Sequence, residues 1–446
     1  MAFQAIIAQC ALAAQAGAAD VQADLDAMRA DLAAIRAERG ERWLTERRAD
    51  EVRALVADAL ADSAARTSWN ASGERVGWDD GFVLRSADDA FLVRVNMLGQ
   101  GRFVLNNNFQ PTGSQPPAAV PDSGTNGNDQ NTWGFEVRRA QLYFSGHVAD
   151  PSVEYMFGMA QDSQVDPYAL QQGGVGLVYA YVRKRFADAL SVTVGRQNAP
   201  FTLESTLFNA GLAQMGEYSI FEYRAGLGQQ TGACVEWRDD RVRWQGGWFD
   251  DVVPIPGNLA QWNSLFNAGV AVCSRLEWKP AGTWSQFAKE SSFRGEEFGL
   301  ALGGGVSWAT GRTINSLIGI DASQFAATAD ARASFGGANA IAQLYWNDDG
   351  QDGTDQWGMN LQGGLFLADD VEAFAALSWF RVADPQWFVQ AGGNLYLHGN
   401  ALKLTAMAIV PLGGSFADAS TYSLAGTGVS DVADNFSFVA QLQVMF

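Results

Sequence analysis

Apolar and polar side chains alternate, residue by residue, along most of the chain from Phe82 to Phe446. Residues 90–105 show it best: Phe91, Val93, Val95, Met97 and Phe103 share one parity, while Arg94, Asn96, Gln100 and Arg102 share the other. Period two is the signature of a strand with one greasy and one wettable face. Such a strand suits a lipid-facing barrel or a soluble sandwich equally well. Repetition favours the barrel. About sixteen runs of this kind follow one another, most near the ten residues that cross a bilayer at a tilt. Their connections alternate as well. Short turns are expected at residues 149–151, 187–188, 239–240, 336–337, 368–370 and 399–400, and long loops at 106–133, 199–228, 251–266 and 411–435. One connection on the short side, 280–296, is long and has no account in this pattern. The last run ends on Phe446, with Phe436, Phe438, Ala440, Leu442 and Val444 on its face. A terminal Phe on such a strand is the signal read by outer-membrane assembly machinery.

The first eighty residues follow a different rhythm. Residues 1–18 read as a secretory signal, with an apolar run over 5–14 and small residues at Ala14, Ala16 and Ala18, although no Lys or Arg precedes the run. Over 19–40, Val21, Leu25, Met28, Leu32 and Ile35 alternate spacings of four and three, the seam of a short coiled-coil helix. Residues 41–80 hold a second helix to about Ala65 and a polar linker. The expected class is therefore all-β, a roughly 16-stranded antiparallel transmembrane β-barrel over 81–446 behind a short α-helical coiled-coil segment.

Composition narrows the function. Lys and Arg total 30 against 49 Asp and Glu, a net charge of −19, which argues against a nucleic-acid partner. After the leader no run approaches the ~18 apolar residues of a membrane helix. With His147 and His398 as the two histidines and no CxxC, a structural zinc site is not expected. No catalytic motif is present, so an enzyme is not expected. Cys234 and Cys273 share the polar parity on non-neighbouring strands and are expected as free thiols. The acidic stretch 347–355, with Asp348, Asp349, Asp352 and Asp355, could hold Ca²⁺, though its spacing is not that of an EF-hand. A solvated acidic turn is the competing reading. No other cofactor is implied.

Three segments resemble the phosphate-selective porin O and P family of trimeric outer-membrane channels. They are residues 134–146 with Arg138-Arg139-Ala140-Gln141-Leu142, Ala180-Tyr181-Val182 followed by residues 194–201, and the terminal strand. The resemblance implies a homotrimeric porin, with preceding helices that extend into the periplasm as a trimeric coiled coil. Tyr179 stands where the family usually has Asp, and no lysine cluster is visible. These departures bear on phosphate specificity and leave the barrel untouched.

Parity places Arg94, Arg102, Arg139, Arg183, Arg185, Arg243, Arg275 and Lys279 on the lumen face, with Arg332 and Lys403 in the second half. Acidic residues are expected to gather in the loops instead. A cationic wall in a narrow pore attracts small anions even when the whole chain is acidic. In many sixteen-stranded porins the loop at the position of 199–228 folds inward. Glu204, Glu217, Glu222 and Arg224 would then face the arginine wall; the competing reading is a loop packed over the rim. The leading functional reading is passive diffusion of small hydrophilic solutes through the bacterial outer membrane, anion-leaning, with the helices and the C-terminus in the periplasm. The alternative is a structural protein tethering outer-membrane lipid to the cell wall through its helices.

Overall fold

The computed structural model describes residues 26–31, 34, 75–79, 81–107, 132–162, 175–250, 270–313, 321–348, 355–381, 385–412 and 436–446. The chain divides into two compact units, Met1–Glu74 and Arg75–Phe446. In the first, residues 26–31 and 34 are helical and exposed, and Arg29 pairs with Asp26 at 3.2 Å one turn away. The expected leader, the rest of the coiled-coil helix and the second helix lie outside the described residues.

The second unit is a closed antiparallel barrel. Its wall comprises β3 (Phe91–Asn107), β4 (Thr132–Val148), β5 (Asp150–Asp162), β6 (Gly176–Ala187), β7 (Leu190–Asn198), β8 (Gln229–Arg238), β9 (Val242–Phe249) and β10 (Val270–Ala281). It continues with β11 (Gly299–Thr313), β12 (Asp321–Ser334), β13 (Ala338–Asp348), β14 (Asp355–Phe366), β15 (Val371–Arg381), β16 (Pro385–His398), β17 (Leu402–Pro411) and β18 (Phe436–Met445). Each strand pairs with the next, and β18 returns to β3 in register from Phe436↔Asn107 to Met445↔Leu98. Closure leaves no unpaired edge, which a backbone in hydrocarbon cannot tolerate. Phe446 finishes the seam: its N–H donates to Met97 O at 3.1 Å and its carbonyl accepts from Met97 N–H at 2.8 Å.

Two short strands were not expected. Residues 75–78, read above as linker, form β1 (Arg75–Trp78), which pairs with β2 (Phe82–Arg85). β2 in turn lies along the start of β3 beyond the reach of β18. Four residues are too few for alternation to stand out from a polar linker. The hairpin covers the seam, since the Trp78 and Phe446 rings lie 5.6 Å apart.

The alternation sorts the wall as its chemistry requires. Outward positions carry Phe135, Trp248, Trp278, Leu344 and Leu442, all exposed and so available to lipid. Inward positions carry Gln100, Gln343, Asn360, Gln390, Asn394 and Gln443, all buried. Buried amides need partners. In this barrel the partners come from chain folded into the lumen.

Candidate functional site

The connection between β7 and β8, residues 199–228, turns into the barrel. It carries α1 (Ile220–Ala225), whose first turn is capped by Ser219 accepting from Glu222 N–H at 3.1 Å. Its backbone carbonyls are taken up by wall side chains. Phe201 O accepts from Arg275 on β10 (3.0 Å) and Thr328 on β12 (2.9 Å). Gly216 O accepts from Gln100 on β3 (2.8 Å) and Gln441 on β18 (3.0 Å). Lys403 on β17 reaches Ala213 O at 3.1 Å, and Asn394 on β16 reaches Gln214 O at 2.7 Å. Two glycines make room. A side chain at Gly305 would meet Phe201 O at 2.2 Å, and one at Gly364 would meet the Gln214 amide at 1.8 Å.

Apolar side chains anchor the same loop. Phe201, Met215, Ile220, Phe221 and Leu227 form one buried cluster with lumen-facing Tyr345, Phe380, Phe388, Met407 and Ile409. Burying each such side chain contributes roughly 1.5–3 kcal/mol. Lumen-facing apolar positions are therefore sockets for the loop.

Three arginines converge on one carboxylate of the loop. Glu217 accepts from Arg138 Nε at 2.7 Å, from Arg139 at 2.5 Å and from Tyr223 OH at 2.5 Å, with Arg102 at 3.4 Å. Arg102 also pairs with Glu136. Burial alone would raise the Glu217 carboxyl. Arg138 and Arg139 overcome it and hold the carboxyl well below the usual range. Arg138 reaches this site because β4 has a bulge: Gln100 opposes Arg139 while Gly101 opposes Val137, so two consecutive residues face inward. A second cluster joins β9, β10 and β12. Arg275 binds Asp330 at 2.7 Å, Arg243 pairs with Glu277, and Arg332 lies 3.8 Å from Glu277.

All ten basic residues expected on the lumen face are inward, but they divide by surroundings. Arg102, Arg139, Arg275, Lys279, Arg332 and Lys403 are buried. Arg183 and Arg185 remain 33% and 49% exposed beside Glu154, against 1% for Arg102 and Arg275. Arg243 is partly exposed and lies over the Trp284 ring, as does Lys279, at 5.2 and 5.4 Å. Arg94 is partly exposed and pairs with Asp79 at 2.6 Å.

Two expectations need correction, and one inward residue was missed. The acidic residues are not confined to loops: Glu136, Glu154, Glu277, Asp330 and Glu372 occupy wall strands, and most neutralise a neighbouring arginine. Their parity was readable, since Glu277 lies between Arg275 and Lys279 on one face. Nor do the four loop residues face one arginine wall. Glu217 does. Glu204 instead accepts from Ser219 N–H at 2.7 Å and Gln343 at 3.1 Å, and Arg224 reaches Gln356 at 3.3 Å. Burial pushes the Glu204 carboxyl well up and the Glu222 carboxyl up to about 8. Arg138 was missed altogether, because a bulge has no signature in alternation. Cys234 and Cys273 are free and buried, each paired across the ladder with Gly247 of β9. Asp348 and Asp355 are ladder partners. Asp349 and Asp352 lie outside the described residues.

Residues 119–311 match the family model described as phosphate-selective porin O and P. The barrel has the porin fold. Its fold is similar to the anion-selective porin from Comamonas acidovorans, with TM-score 0.54 and 11% identity, over 80% of this chain and all of that one. It is also similar to Salmonella typhi OmpF in complex with daunomycin, with TM-score 0.50 and 11% identity, over 83% of this chain and all of the other. No curated protein matches the chain in sequence. The family match over this stretch, with the porin fold, supports a bacterial outer-membrane channel for small solutes.

Proposed function

We propose that the porin passes small hydrophilic anions along one side of its lumen, past β5 to β9. The observation that carries this reading is the uneven exposure of the inward cations. Those facing the loop are buried, whereas Arg183 and Arg185 keep contact with solvent. In each group the cations outnumber the carboxylates they meet. Arg183 and Arg185 share Glu154, and Arg243, Arg275 and Arg332 share Glu277 and Asp330. A positive excess on a narrow wetted wall favours anions.

The same reading carries the orientation and assembly. The end with short turns and the C-terminus faces the periplasm, and the porin is a homotrimer. Tyr179, at the family's Asp position, ties the inward loop to the wall: its hydroxyl donates to Phe208 O at 2.9 Å, with Asn198 Oδ1 the alternative acceptor at 3.0 Å. It therefore serves the loop's placement, and phosphate is one solute among small anions. Reversal potential in a salt gradient tests the proposal. Wild type should prefer anions, and Arg183→Ala with Arg185→Ala should lose much of that preference. An unchanged potential would remove the exposed cations from the account.

A further inference from the structure

The connection between β10 and β11 should be a short turn, yet residues 282–298 fold into the barrel from the turn end. Phe287, Glu290, Ser291 and Ser292 are buried there. Wall residues hold this strap. Arg332 donates to Phe287 O at 2.7 Å, Ser291 Oγ donates to Glu372 at 3.1 Å and lies 2.8 Å from Tyr396 OH, and Arg294 donates to Phe366 O at 2.7 Å.

The strap meets the inward loop end to end. Glu290 N–H donates to Leu212 O at 3.1 Å, and Gln214 N–H donates to the Glu290 carboxyl at 2.8 Å. These two bonds make a reciprocal bridge between segments that enter the lumen from opposite ends. Gln362 closes it by donating to Glu290 at 3.0 Å and to Gln214 Oε1 at 3.1 Å. The Gln214 amide continues to Asn339 at 2.8 Å and Glu372 at 2.6 Å. The other Glu290 oxygen is buried without a hydrogen-bond partner, as is one oxygen of Glu222. An orphaned buried oxygen is costly, and such groups mark places where structure is held under load. Arg332 and Lys403 face Glu290 from the wall, and Glu204 and Glu222 act on it from the loop. Burial pushes the Glu290 carboxyl up, against the hydrogen bonds from Gln214 and Gln362.

We propose that the strap is a latch, holding the constricting loop across the lumen through the Leu212–Glu290–Gln214 bridge, so that wider opening requires the bridge to break. Glu290 is then a positioning residue: it touches no solute and acts through the loop. The proposal rests on the channel reading above. It also gives the otherwise unexplained length of this connection a task. A support rooted in β10 and β11 ties loop placement to the turn end, so that events at that end reach the constriction.

The test is single-channel recording on the full-length, detergent-extracted porin. One variant carries Leu212→Cys and Glu290→Cys with the native cysteines replaced by alanine. The bridge geometry brings these backbones within disulfide reach. A second, Glu290→Ala, removes the side-chain half of the bridge, with its bonds from Gln214 and Gln362, and Glu290→Gln keeps an acceptor for both. The latch predicts quiet, small-conductance channels for the oxidised pair, and about tenfold more frequent transitions to larger conductance after reduction, as the net loss of the Glu290 side-chain hydrogen bonds implies. Glu290→Ala should match the reduced pair and Glu290→Gln should stay near wild type. Equal transition frequencies in the oxidised, reduced and Glu290→Ala channels would overturn the latch while leaving the channel intact. A wild-type protein giving no conductance steps would overturn the channel reading, and the latch with it.

Discussion

The two sides of the lumen carry the same residue types and use them differently. On the side of β10 to β18, with the adjoining β3 and β4, inward arginines, amides and aromatics are consumed by the loop and the strap. On the side of β5 to β9, Arg183, Arg185 and Glu154 keep solvent contact. The lesson is that facing the lumen does not make a charge pore-lining. Six of the ten cations that parity assigns to the lumen, and Arg138 besides, are buried scaffold, and their absence should change how the loop sits before it changes which ions pass.

Four experiments separate the two sides. The largest effect is expected from Glu217→Ala, which removes the buried carboxylate on which Arg138 and Arg139 converge. Breaking a buried pair from one side costs about 3–5 kcal/mol. Protease protection of the loop should fall and open-channel noise should rise. Phe221→Ala comes next, at roughly 3–5 kcal/mol for an aromatic lost from the loop's socket, less whatever the loop recovers by settling. Its check is the same noise measurement beside the thermal unfolding of the barrel, which should move little.

Third is pH. Glu204, Glu222 and Glu290 are raised by burial, so the packed loop binds more protons than a released one. Their neutral form holds the loop at low pH. That support is lost as pH climbs from the ordinary carboxyl range through about 8, the Glu222 value. Recordings from pH 5 to pH 9, a range of about four units around these groups, should show rising fluctuation, and Glu222→Gln should flatten the trend. Glu217 is held low and takes no part above acid pH. The smallest structural effect belongs to Arg183→Ala with Arg185→Ala. These partly exposed pairs contribute about 0–1 kcal/mol each, so unfolding should scarcely move while ion preference does. A loss of preference as large from Arg275→Ala, with noise unchanged, would erase the contrast between the sides.

Much of this was legible in the chain. Alternation placed sixteen wall strands and the inward face of cations such as Arg102, Arg139 and Arg275, because in a closed barrel each pleat must show one side to lipid and the other to water. The inward path of 199–228 was readable only as one of two choices. Its apolar residues would suit a rim as well as a lumen, and the matching sockets at Phe380, Phe388 and Met407 are scattered over three strands. Glu290 could not be found at all. Its partners Leu212, Gln214 and Gln362 are long-range, and an acidic residue in a polar connection resembles any solvated turn. Arg138 was hidden for a different reason, since parity assigns the side chain before an inward arginine to the opposite face.

That extra residue in β4 has a consequence for how the strand tolerates changes in length. The ladder resumes on both sides of Arg138 with Trp133, Phe135 and Val137 outside and Glu136 inside. Removing Arg138 outright would straighten the strand and leave every other side chain on its present face. Removing Ala140, two positions on, would restore the same count and keep both flanks in place, but it would turn Arg139 out of its ion pair with Glu217 and toward lipid. Here one deletion is gentler than its neighbour by the difference between losing a buried arginine and placing one against hydrocarbon.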